Sequence, residues 1–189
     1  MEGKVFSSEQ LISDCRDCFK ESDTKSAVKE LITRTVSDPG QVMRVLGEPQ
    51  RGGINTIYRA DDLTILNLVW GPGMDLYPHD HRMWAVIGIY TGTEDNSFYQ
   101  RSEEKGLSRH GMKHLNSNDT VALGETVIHS VRNPLSQCTA ALHVYGGDFF
   151  AAHRSEWDPE TYTEKPYDIE NAKRMFELSN QALDERAAG

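Results

Sequence analysis

His79 and His81 stand one residue apart in Pro78-His79-Asp80-His81, inside a segment that otherwise reads as a strand. Side chains along a strand alternate between faces, so the two imidazoles project to the same side. Neutral imidazole is the commonest side-chain metal ligand, and a pair placed in this way can share one ion. His129, in the apolar and β-branched run Val127-Ile128-His129-Ser130, offers a third ligand. Three neutral ligands leave positions open on the metal, as a catalytic centre requires and a structural one avoids. The competing reading is a chance His-x-His on a polar strand face. His143 and Tyr145, two apart on one strand, also share a face. They too have a plain reading, as ordinary interior residues.

The elements that must hold these side chains are mostly short strands. Thr56–Arg59, Leu63–Trp70, Met83–Thr91, Ser97–Arg101, Thr120–Ala122, Thr126–Val131 and Thr139–Tyr145 are rich in Val, Ile, Tyr and Trp and broken by Gly, Pro, Asn and Asp turns. That spacing predicts a closed barrel or a double-sheet roll. The first third is helical instead. Ser7-Ser8-Glu9-Gln10 offers a cap to a helix carrying Leu11, Ile12, Cys15, Cys18 and Phe19, and Asp23 or Thr24 starts a second with Ala27, Val28, Leu31 and Ile32 on one face. A third helix runs near Gln41 to Leu46, and a last one from about Asp168 to Glu185. With no linker in view, the expectation is one domain over residues 1–189: a helical extension (1–50), a β-barrel core (51–150) and a C-terminal extension with a helix (151–189).

Bulk properties narrow the function classes. A formal charge of −9 with scattered positive residues argues against nucleic acid, which demands a basic face. There is no apolar run of transmembrane length and no leader pattern at Met1-Glu2-Gly3-Lys4, so no membrane role and a soluble, cytoplasmic protein are expected. Three cysteines make no disulfide framework. Cys15-Arg16-Asp17-Cys18 has redox or zinc spacing but no second Cys/His pair, and buried thiols on a helix face explain it as well. His110 and His114 fall in what reads as a Gly- and Lys-containing loop, facing solvent, and His153 is not read as a ligand. The oligomeric state cannot be read from the sequence.

The run Gly73-(five residues)-His79-Asp80-His81-(three)-Ala85-(six)-Gly92 resembles the first motif of the cupin superfamily, with Ala85 where that motif carries glutamate. Gly124 through His129 to Asn133 resembles the second motif, without its proline and with a longer Gly-to-His gap. Together with Val69-Trp70-Gly71-Pro72-Gly73, His81-Arg82-Met83-Trp84-Ala85-Val86-Ile87-Gly88 and Ala141-Leu142-His143-Val144-Tyr145-Gly146, the match over residues 55–155 is similar to the thiol dioxygenases, the cysteine and 3-mercaptopropionate dioxygenase group. The resemblance implies a mainly β fold, a cupin double-stranded β-helix barrel (jelly roll) with helices packed on it. It implies a mononuclear Fe(II) held by His79, His81 and His129, and oxidation of a small carboxylated thiol by O2 to a sulfinate. Zinc competes as the metal, since three histidines bind it well.

In that family a Ser-His-Tyr relay lies beside the iron. His143 and Tyr145 match it, but the serine position is Ala141, and a neighbouring Thr139 or a water is expected to serve instead. The Tyr crosslink of the cysteine-specific branch needs a cysteine at or beside Ala85, and none is there. The substrate carboxylate needs a guanidinium for bidentate capture. Arg59 matches the arginine of cysteine dioxygenases and Arg154 that of the mercaptopropionate branch, and each is also open to a plain structural role. Other metal-dependent cupin chemistry (carbon–carbon cleavage, hydrolysis or isomerisation) and a non-catalytic small-molecule-binding cupin remain alternatives.

Overall fold

The structure is a computed structural model that describes residues 6–104 and 106–188. The expected absence of a leader at Met1–Lys4 lies outside the described residues, as does the start of the 1–50 extension. The chain opens with three helices, α1 (Ser8–Cys18), α2 (Thr24–Val36) and α3 (Pro39–Leu46). Each begins at a side-chain cap, from Ser7, Asp23 and Asp38, that accepts the backbone N–H three residues on and so satisfies an otherwise orphaned donor.

Two antiparallel sheets follow and face one another. The first is ordered β1 (Gly53–Arg59), β2 (Thr64–Trp70), β9 (Thr139–Tyr145), β4 (Ala85–Thr91), β7 (Thr120–Leu123). The second is ordered β11 (Glu164–Pro166), β10 (Ser155–Trp157), β3 (Asp75–Asp80), β8 (Ile128–Arg132), β5 (Thr93–Ser102), β6 (Gly106–Asn116). This is the mainly β architecture expected, with helices at both ends of the chain. One expectation needs correcting. The segment with His110 and His114 is not a loop but the long strand β6, a hairpin partner of β5; both histidines are exposed, and His114 Nδ1 lies 2.6 Å from Asp95.

The first sheet is apolar on both faces for a visible reason. Leu66, Leu68, Trp70, Ile87, Ile89, Ala141 and Tyr145 point into the roll, while Ile65, Val69, Val86, Leu142 and Val144 point out against Val28, Leu31 and Ile32 of α2. The pleat sets that alternation, and the helices convert the outer face into a second core. Gly88 lets α2 approach closely: a Cβ there would stand 2.3 Å from Ile32 Cγ2. Cys15 belongs to this outer core, and burial pushes its thiol up to about 12, the inert condition of a packed cysteine. At the other side α4 (Ile169–Ala188) lays Ala172 and Phe176 against the inner core, Phe176 stacking on Trp70 at 5.3 Å. No described helix is long and apolar enough to cross a membrane.

Candidate metal centre

His79, His81 and His129 come from the second sheet and meet inside the roll. His79 and His129 are directly opposed on β3 and β8. The β3–β8 register shifts between Leu76 and His79, where Pro78 cannot supply a ladder N–H. His81 lies one residue beyond β3, just before Arg82 takes a left-handed φ of 56° and turns the chain away. The three imidazoles are buried, and one ring nitrogen from each falls within 4.8 Å of the others. Among the described residues no carboxylate or thiol joins the group.

Their outer nitrogens set the tautomers. His79 Nδ1 donates to the Tyr77 carbonyl at 3.0 Å, and His129 Nδ1 donates to Asn96 Oδ1 at 2.9 Å. Both acceptors lack a proton to give, so each ring keeps its Nε2 lone pair free, as a metal ligand must. His81 Nε2 and His129 Nε2 are 3.0 Å apart. Two nitrogens bound at right angles about 2.1 Å from one ion would stand about 3 Å apart, so the spacing fits a shared cation. Burial, then the Arg154 charge, depresses His79 to about 3; burial, then neighbouring imidazoles, drives His81 and His129 well below the usual range. All three are therefore neutral near pH 7; His79 and His129 keep a free Nε2, while His81, accepting from Arg154 at Nδ1, carries its proton on Nε2.

His143 and Tyr145 reach the same cavity from β9 in the opposite sheet. The Tyr145 ring lies 5.0 Å from that of His81, and its hydroxyl is 3.0 Å from His143 Nδ1. Burial holds the phenol above its ordinary range, so it stays protonated and donates. Ala85 is the register partner of Tyr145, which puts an alanine where the crosslinking cysteine would stand. Thr139 is not the substitute for the missing serine, since its hydroxyl is engaged by Thr93 and Asn133.

The two arginines differ in burial and partners, though neither lines the cavity. Arg59 is half exposed and forks onto Asp148 through Nε and Nη2 at 2.9–3.1 Å, outside the cavity lining. Arg154 is only 7% exposed. Its guanidinium is sandwiched between Phe149 (4.1 Å) and Tyr167 (3.6 Å), and its Nη1 is 3.3 Å from His81 Nδ1. It arrives there because β10 pairs with β3 at Glu156–His79 and Ser155 N–H donates to Asp80. Among the described residues no carboxylate forms an ion pair with it.

The cavity holds about 20 Å³, walled by apolar residues such as Ile54, Leu68, Leu76 and Phe149 around His79, His81, His129, His143, Tyr145 and Tyr167. Sequence reasoning missed Glu94, Asn96 and Tyr167. Glu94 and Asn96 alternate inward on β5, and both are fully buried. Their signal was a two-residue polar alternation hidden in Thr93-Glu94-Asp95-Asn96-Ser97, a run whose composition mimics a turn.

No protein-family model matches the chain. Solved structures resembling it include an RmlC-like cupin with a double-stranded β-helix fold from Methanocaldococcus jannaschii, at 11% identity over 53% of this chain and 84% of that one, TM-score 0.44. A protein from Klebsiella pneumoniae with a double-stranded β-helix domain aligns at 11% identity over 64% of this chain and 88% of that one, TM-score 0.40. The DMSP lyase from Ruegeria pomeroyi aligns at 18% identity over 58% of this chain and 53% of that one, TM-score 0.45. These are likenesses of fold, and they bear on no residue of the centre.

Proposed function

We propose that the chain is a mononuclear non-haem Fe(II) thiol dioxygenase. Its substrate would be a small carboxylated thiol of the 3-mercaptopropionate, cysteine or mercaptosuccinate kind, converted with O2 to the sulfinate. The observation that carries this reading is a charge-neutral three-imidazole centre beside a buried guanidinium with no carboxylate partner. Two aromatic faces and the Asp80 carbonyl hold that charge without neutralising it, and a substrate anion beside it would do so.

When bound, ferrous iron supplies open positions for a thiolate and O2 and lowers the pKa of the thiol. His79, His81 and His129 would hold it, with Asn96 and the Tyr77 carbonyl fixing two of the rings. Were His81 to hold the ion through Nε2, its proton would sit on Nδ1 and Arg154 would keep the Asp80 carbonyl but lose that acceptor. Its donors then turn to the substrate carboxylate while Phe149 and Tyr167 keep the guanidinium plane in place. Tyr145 sets a protonated hydroxyl, hydrogen-bonded to His143 Nδ1, beside His81. The apolar wall excludes water, which strengthens each of these interactions.

Oxygen-electrode measurements on ferrous protein test the proposal. Uptake is expected with cysteine, 3-mercaptopropionate or mercaptosuccinate, and not with cysteamine, which has no carboxylate for Arg154. Silence across all four thiols overturns it.

A further inference from the structure

Two buried polar atoms on neighbouring side chains lack partners among the described residues. His143 Nε2 and Glu94 Oε2 both lack a hydrogen-bond partner, and the Glu94 carboxyl comes within 3.8 Å of His143 Nε2 through Oε1. Glu94 is fully buried on β5, and its Oε1 accepts from the Trp70 indole at 2.6 Å. The Trp70 ring also flanks His143, at 6.4 Å between centroids. A buried carboxylate oxygen without a donor is costly, and so is a buried ring N–H without an acceptor. A small rotation of either side chain satisfies both.

We infer that Glu94 is the positioning residue for His143, taking the place that Ala141 leaves empty. This rests on the dioxygenase reading above. The carboxylate accepts from Trp70 Nε1 and from His143 Nε2–H, which leaves His143 Nδ1 as the acceptor for the Tyr145 hydroxyl 3.0 Å away. The Tyr145 O–H is thereby anchored and aimed by a chain running from the first sheet through β5 and back: Trp70, Glu94, His143, Tyr145. Glu94 acts through His143, so it is not itself a catalytic residue.

The arrangement fixes one tautomer, and that is directly readable. Two-bond 15N–1H correlation spectra of the metal-free full-length chain, labelled at its seven histidines, should show His143 as the Nε2–H tautomer, assigned by its loss in His143→Gln. In Glu94→Gln the amide oxygen still accepts from Trp70, and the amide NH2 turns toward His143. The tautomer should then invert to Nδ1–H. A native His143 in the Nδ1–H form overturns the inference without recourse to any variant, and so does an unchanged tautomer in Glu94→Gln. In thiol-dependent O2 uptake, Glu94→Gln should lower kcat roughly ten- to hundred-fold with KM little changed, as expected for loss of an orienting partner. The spectra need neither iron nor thiol. Correct tautomers in a protein that oxidises no thiol would sink the dioxygenase reading and leave Glu94 as the partner of His143.

Discussion

At the scale of single residues, the centre depends on charge and tautomer more than on proximity. Removing any one of His79, His81 or His129 leaves two ligands, and metal content after purification should fall from about one ion per chain to well below half. Elemental analysis of the alanine variants reads this directly. Arg154→Ala should lower kcat/KM for a thiol acid by about 10- to 100-fold, the value of roughly 1.5–3 kcal/mol for hydrogen bonds to a charged group. Arg59→Ala, which only releases Asp148, should leave turnover within about threefold, the range of a surface ion pair. Equal losses in both variants would contradict the assignment. The three histidines were legible because strand alternation and β-branched neighbours are local signals. The choice between Arg59 and Arg154 was not, because it turns on a partner 89 residues away for one and a two-ring sandwich for the other.

Among the elements, the strands that carry the centre are held from outside. Strand β9 is buried throughout because α2 covers its sheet, and Gly88 lets β4 approach α2 closely. Gly88→Ala forces a Cβ to within 2.3 Å of Ile32, which should cost about 1–3 kcal/mol by overpacking. Urea denaturation measures it, with a midpoint unchanged from native as the contrary result. Strands rich in Val, Ile and Tyr announced themselves in the sequence, as did the capped helices. Strand β6 did not: Gly106, Gly111 and the charged and polar residues Arg109, His110, Lys113 and His114 carry the composition of a loop, and only its long pairing with β5 makes it a strand. The inward face of β5 stayed hidden for a similar reason. Glu94 and Asn96 are polar because their partners, Trp70, His143 and His129, lie on other strands far along the chain.

For the molecule as a whole, burying three neutral imidazoles links stability to pH. The unfolded chain protonates its histidines near the ordinary 6.5, while the folded metal-free chain holds His79 at about 3 and the other two well below normal. As the pH falls below 6.5 the unfolded state binds more protons, so this stability is present above that value and is lost progressively toward acid. The slope approaches about 1.4 kcal/mol per pH unit for each histidine. Urea midpoints of metal-free protein at about pH 7.5 and about pH 5 should therefore differ sharply, and a flat profile would contradict neutral burial. On the proposed reading, the same neutrality lets an anionic thiol complete the charge of the centre. Its most direct test is mass spectrometry of the product formed from a thiol acid by ferrous protein under 18O2. The account predicts a sulfinate carrying both labelled atoms. A disulfide, an unlabelled product or a product with label from water would contradict it.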